Sequence, residues 1–144
     1  MFGFAVQMII GGKKIIQKTI KVKSYGKELI LDIHNCNPKV FQRDSVEYFL
    51  KYLCDEIDME RCDLHFWDYQ DEPEEYKNAP DHLKGISCIQ FITTSNITIH
   101  TLDVLKKVFL NVFSCKDFDS DRVVEISLKF FNGTIKNKTE IIRE

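Results

Sequence analysis

A short stretch in the second half of the chain gathers residue types that do chemistry: Ser87, Thr93, Thr94, Ser95, His100 and Cys115. A hydroxyl can attack a carbonyl, an imidazole can take or return a proton, and a thiol can do either. Ser95 sits in a Thr93-Thr94-Ser95-Asn96 break between two apolar runs. A sharp backbone bend there would expose the serine. His100 follows five residues later, and Cys115 ends the next run. Hydroxyl residues beside Asn are also ordinary β-turn formers, so residue types alone leave a catalytic and a plain structural reading open.

The elements that must position these residues are legible as periodicity. Gly85 opens a strand over Ile86–Thr93, a second runs over Asn96–His100, and a third alternates over Lys107–Cys115. Asp119 or Ser120 caps a helix carrying Val123, Ile126, Leu128 and Phe130-Phe131, stopped at Asn132-Gly133. A final strand is predicted from Thr134 to Ile142. Upstream, Val46, Phe49, Leu50, Leu53 and Ile57 recur at spacings of three and four, which predicts a helix over Asp44–Met59, capped by Asp44 or Ser45. Strands are expected over Glu28–Ile33 and Asp63–Tyr69. Residues 70–84, with Pro73 and Pro80 and many acids, read as a loop. Alternation either side of Gly11-Gly12 predicts an N-terminal β-hairpin over residues 1–24. The expected fold is α+β: a two-layer sandwich of a mainly antiparallel sheet with two helices on one face. The chain divides into the hairpin extension, 1–24, and one domain, 25–144.

Charge and composition narrow the function classes. The 144 residues carry a net charge of -2, which gives no basic field for nucleic acid. The lysines Lys13, Lys14, Lys18, Lys21, Lys23 and Lys27 alternate with apolar residues and read as the solvated face of strands. No apolar run is long enough to cross a membrane, and the first residues lack a basic signal-peptide start, so a cytoplasmic protein is expected. Five cysteines without C-x-x-C spacing argue against both a disulfide framework and a zinc site. The four histidines show no ligand spacing, so no metal is expected.

The stretch Gly85-Ile86-Ser87, through Ser95, to Thr98-Ile99-His100-Thr101 and Phe113-Ser114-Cys115 resembles the small prokaryotic S-adenosylmethionine decarboxylases. Ser87, Ser95, His100 and Cys115 keep that family's spacings without a gap. The run Gly26-Lys27-Glu28-Leu29-Ile30-Leu31-Asp32 resembles its first strand, with an acid at Asp32. The resemblance implies self-cleavage between Thr94 and Ser95. Ser95 would become a pyruvoyl cofactor whose ketone forms a Schiff base with the substrate amine. His100 and Ser87 would serve processing, and Cys115 would return a proton after decarboxylation. It implies a homodimer of αββα form, a small-molecule amine or amino-acid substrate, and a place in polyamine and spermidine synthesis.

The same comparison predicts an altered nucleoside pocket. The family's Trp-Pro-Glu after Ile-His-Thr is here Leu102, Asp103 and Val104, and its glutamate before the cleaved serine is Thr94. A gapless match puts Asp81 where an adenine-stacking aromatic is expected, unless Tyr76 or Trp67 folds back to serve. Asp32, Asp81 and Leu102 are thus the substrate-binding candidates. An aromatic stack is worth about 1–3 kcal/mol of base binding. Other readings are a pyruvoyl decarboxylase of arginine or ornithine, and a non-processing, non-catalytic paralogue that binds a partner.

Overall fold

The computed structural model describes residues 8–10, 13–15 and 24–144. Strands β1 (Met8–Ile10) and β2 (Lys13–Ile15) pair antiparallel as a small hairpin of their own. The rest of the expected N-terminal alternation lies outside the described residues. The main sheet holds β3 (Gly26–His34), β4 (Arg61–Trp67), β5 (Ser87–Ile92), β6 (Ser95–Leu102), β7 (Lys107–Ser114) and β8 (Thr134–Arg143). Their spatial order is β4-β5-β6-β7-β3-β8, and every neighbouring pair is antiparallel.

Period-two alternation decides which side chains face the helices. Leu29, Leu31 and Ile33 of β3, Ile97 and Ile99 of β6, and Val108, Leu110 and Val112 of β7 are all buried on one face. That face is covered by α1 (Arg43–Glu56) and α3 (Ser120–Phe131). Val46, Phe49, Leu50 and Leu53 form the apolar stripe of α1, and Val123, Ile126 and Phe131 that of α3. Phe49 is the hinge of this layer, with ring centroids 5.0 Å from Phe130 and 4.8 Å from Phe131. Burying one such side chain contributes about 1.5–3 kcal/mol. The expected α+β architecture with helices on one face is what the structure shows.

Local chemistry moved several boundaries. Helix α1 starts one residue early, and its N-cap is Gln42 rather than Asp44 or Ser45. Arg43, the first helical residue, is pinned through its guanidinium by two 2.6 Å bonds to Asp68, while no side chain caps the helix amides. The expected loop at 70–84 contains α2 (Pro73–Asn78) and a 3₁₀ turn at Asp81–Leu83. Its start signals were present: Pro73 in the first turn, acids Glu74 and Glu75 behind it, and Lys77 in the last turn. Asp119 caps α3 by accepting from the Asp121 and Arg122 amides, and Asn132 ends it in the left-handed region at φ 50°. Lys27 is not on a solvated face. Its Nζ donates to the Phe118 carbonyl, pairs with Asp117 at 2.9 Å and lies 4.5 Å over the Phe118 ring.

Among the described residues, the other face of the sheet carries no helix. One transverse row runs Trp67, Ser87, His100, Phe109, Asp32, Asn137 through the register of all six strands. Trp67 is 63% exposed at the end of this row.

Candidate active site

Strands β5 and β6 form a hairpin whose last pair is Ile92 with Ser95, so the loop is only Thr93-Thr94. So tight a reversal forces Thr94 into the left-handed region, at φ 58°. For a β-branched residue this stores on the order of 1–3 kcal/mol of strain. Tertiary bonds hold the bend: the Thr93 amide donates to the Glu60 carbonyl at 3.1 Å, and Thr94 Oγ1 donates to the Thr93 carbonyl at 2.7 Å. The strain sits in the residue whose carbonyl precedes Ser95.

Ser95 is the first residue of β6 rather than part of the turn, and its side chain shares the helix-covered face with Ile97 and Ile99. A polar atom there needs partners. The Cys115 amide donates to Ser95 Oγ at 3.1 Å, and Ser95 Oγ donates towards Cys115 Sγ at 3.8 Å. Thr94 Oγ1 lies 3.1 Å from the same sulfur. The Thr94 hydroxyl first, then the Ser95 hydroxyl, hold the Cys115 thiol below its ordinary pKa by favouring the thiolate. The buried thiols behave oppositely: burial pushes Cys36 and Cys54 up to about 11 and Cys88 to about 12. Cys115, exposed and with its thiolate favoured, has the setting of a reactive thiol.

A second pair stands elsewhere. Ser87 and His100 are register partners, and Ser87 Oγ lies 2.7 Å from His100 Nδ1. The imidazole stacks on Phe109 with centroids 6.3 Å apart and planes 17° apart. Burial lowers the His100 pKa, so the ring is neutral and able to accept a proton near pH 7. His65, Trp67, Ser87, His100, Phe109 and Asn111 help line a cavity of about 510 Å³ on the open face.

Ser95 and His100 are not together in one chain. Five residues of strand separate them, which is roughly 16 Å, and the odd spacing puts them on opposite faces. Sequence spacing brought four residues into register, while the strand geometry sorts them into two pairs: Ser95 with Cys115, and Ser87 with His100.

The substrate-binding candidates also separate. Asp32 lies two strands from His100 in the same row, and Asn137 Nδ2 donates to its Oδ2 at 2.6 Å. Asp81 is exposed and pairs with Lys84 Nζ at 3.3 Å. Leu102 is 6% exposed, with Val104 47% exposed beyond it. Tyr76 does fold back, but onto Asp103, donating to its Oδ2 at 3.0 Å. Trp67 reaches the cavity beside Ser87 and His100. Phe109 was missed by the sequence reading, although its alternation with buried Val108 and Leu110 assigns it to the open face. Among the described residues, no three His, Cys, Asp or Glu side chains converge as a metal site.

The sequence signature of the S-adenosylmethionine decarboxylases matches residues 27–144. The chain belongs to the S-adenosylmethionine decarboxylase family. A search of curated proteins gives no match to it. Among solved structures, it is similar to the adenosylmethionine decarboxylase from Aquifex aeolicus VF5, at a TM-score of 0.66 and 16% identity, covering 85% of this chain and 92% of that one. At that identity the likeness is one of fold. The S-adenosylmethionine decarboxylase family consists of carboxy-lyases that depend in general on a pyruvoyl group and act on a small molecule. The residues at this site suit that group: a serine to make it from, a strained carbonyl before it, and a thiol and a backbone N–H against it.

Proposed function

We propose that this chain is a self-processing, pyruvoyl-dependent decarboxylase, with S-adenosylmethionine as substrate and polyamine synthesis as its context. The observation that carries the reading is the contact of Ser95 with Cys115 at a turn strained at Thr94. Ser95 Oγ attacks the Thr94 carbonyl carbon, and the C–N bond breaks as the C–O bond forms. The peptide becomes an ester, and the Ser95 nitrogen becomes a free amine. Loss of the Ser95 α-proton then breaks the Cβ–Oγ bond, releasing Thr94 as a carboxylate. Water replaces the nitrogen, ammonia leaves, and residue 95 ends as pyruvoyl. That group supplies a carbonyl that draws electrons from the substrate as its carboxyl departs. Cys115 Sγ holds the proton for return to the substrate carbon, and neutral His100, held by Ser87, accepts the α-proton during elimination.

The last role requires a second protomer. His100 is roughly 16 Å from Ser95 and faces away from it, while its own face of the sheet carries no helix among the described residues. Two such faces stacked about an axis running across the strands would carry the Ser87–His100 end of one sheet over the backbone of the Thr94–Ser95 turn of the other, on the face opposite Ser95 Oγ. This supports a homodimer with shared sites. Trp67, exposed beside His100, is the aromatic best placed to stack on a purine in such a pair.

Denaturing mass spectrometry tests the reading directly. Two fragments, 1–94 and 95–144, are expected, the second blocked at its amino end; a chain that stays intact on ageing overturns it. Co-expressing a Ser95→Ala chain with a His100→Ala chain should restore cleavage of the latter, whereas no restoration refutes the shared site. A second reading has its own support. Leu102 is packed away and Val104 is aliphatic, so neither offers the family's adenosine contacts. Decarboxylation of arginine or ornithine but not S-adenosylmethionine would establish that variant. An intact chain would leave a non-catalytic paralogue.

A further inference from the structure

We propose that Thr94 is a positioning residue that sets the protonation of Cys115, and that cleavage reverses its influence. The inference rests on the reading above for its second half only. Before cleavage Thr94 is neutral, and its hydroxyl touches the sulfur at 3.1 Å. A hydroxyl has one proton. With Cys115 as a thiol, Thr94 Oγ1 donates to the Thr93 carbonyl, 2.7 Å away, and accepts from S–H. With Cys115 as a thiolate, the same hydroxyl turns and donates to sulfur. Hydrogen bonds to a charged form favour that form. The intact turn therefore favours a thiolate beside Ser95 Oγ, poised to take its proton as it attacks.

Cleavage changes both sulfur contacts. The Ser95 hydroxyl is gone, and Thr94, whose hydroxyl touches Sγ at 3.1 Å, ends in a carboxylate. Losing a donor and gaining a like charge each favour the neutral thiol. The cysteine that served as base in processing becomes a protonated acid for turnover. The new terminus stays in place because Thr93 is anchored by its amide to the Glu60 carbonyl, 3.1 Å, and by its hydroxyl to Glu60 Oε2, 3.4 Å. Charged groups on the surrounding elements are engaged: Lys116 with Asp58, Lys27 with Asp117, and Glu60 with Thr93.

The test is the pH profile of Cys115 alkylation by iodoacetamide, read on its own peptide by mass spectrometry, with exposed Cys62 as internal control. In a Ser95→Ala background, where cleavage is chemically impossible, adding Thr94→Val should raise the Cys115 midpoint by roughly 0.5–1 pH unit. Adding Thr94→Ser should not move it. An unchanged midpoint for Thr94→Val overturns the positioning role, whether or not the wild-type chain ever cleaves. The cleaved wild type should show a midpoint above that of uncleaved Ser95→Ala, since both lack the Ser95 hydroxyl and the cleaved chain adds the new carboxylate beside a pyruvoyl carbonyl, which cannot donate to sulfur. A midpoint equal or lower overturns the reversal.

Discussion

Replacing Gly85 by alanine probes why the Gly-x-Ser segment needs its glycine. No left-handed φ is involved; the requirement is space. An added Cβ would sit 1.7 Å from the Thr101 carbonyl oxygen and 2.7 Å from its carbon. Reaching even the 3.0 Å floor of real Cβ contacts requires a shift of 3.0 − 1.7 = 1.3 Å, and the obstacle is backbone in a paired strand. That shift pulls Ile86 from Thr101, whose amide donates to the Ile86 carbonyl at 2.8 Å and whose hydroxyl accepts from the Ile86 amide at 3.0 Å. Two buried bonds at about 1 kcal/mol each, plus the cost of leaving those groups unpaired, predict a loss of about 2–4 kcal/mol. That corresponds to a Tm lower by roughly 10 °C. Ser87 moves with Ile86, so its 2.7 Å bond to His100 lengthens as well. Thermal unfolding and an NMR titration of His100 are the assays. A Tm within about 2 °C of wild type, with an unmoved His100 titration, refutes the argument.

Phe49→Ala should cost about 3–5 kcal/mol in urea unfolding, because it empties the contact with Phe130 and Phe131. Asp119→Ala removes the acceptor for two amides of α3 and should cost about 1 kcal/mol by the same measurement. If His100 accepts a proton during elimination, cleavage on a gel time course should fall in acid with a midpoint below the ordinary histidine value of about 6.5, since burial lowers its pKa; a midpoint above 7 contradicts it. The Arg43 guanidinium holds the Asp68 carboxyl below its usual range. Its contribution is present above the unfolded value of about 3.9 and is lost as pH falls through the lower folded one. The stability gap between Arg43→Ala and wild type should therefore narrow in acid, and a gap independent of pH would show the pair contributes no such linkage.

Much of the molecule is written in local pattern. The alternation of Leu29, Leu31 and Ile33, or of Val108, Leu110 and Val112, fixes both the strand and its buried face, because side chains on a strand repeat every two residues. The stripe of Val46, Phe49, Leu50 and Leu53 does the same for α1. Ser87, Ser95, His100 and Cys115 were picked out as candidates by residue type and by a family spacing. Their grouping was not. Whether Ser95 meets His100 or Cys115 depends on strand parity and on which strands are neighbours, and neither is local. Parity sends His100 to the open face, and the β6–β7 pairing brings Cys115 under Ser95. The strain at Thr94, the Glu60 clasp on Thr93 and the burial that keeps His100 neutral exist only once distant segments close around the turn. Sequence determined which groups could react; tertiary structure decided which of them share a proton.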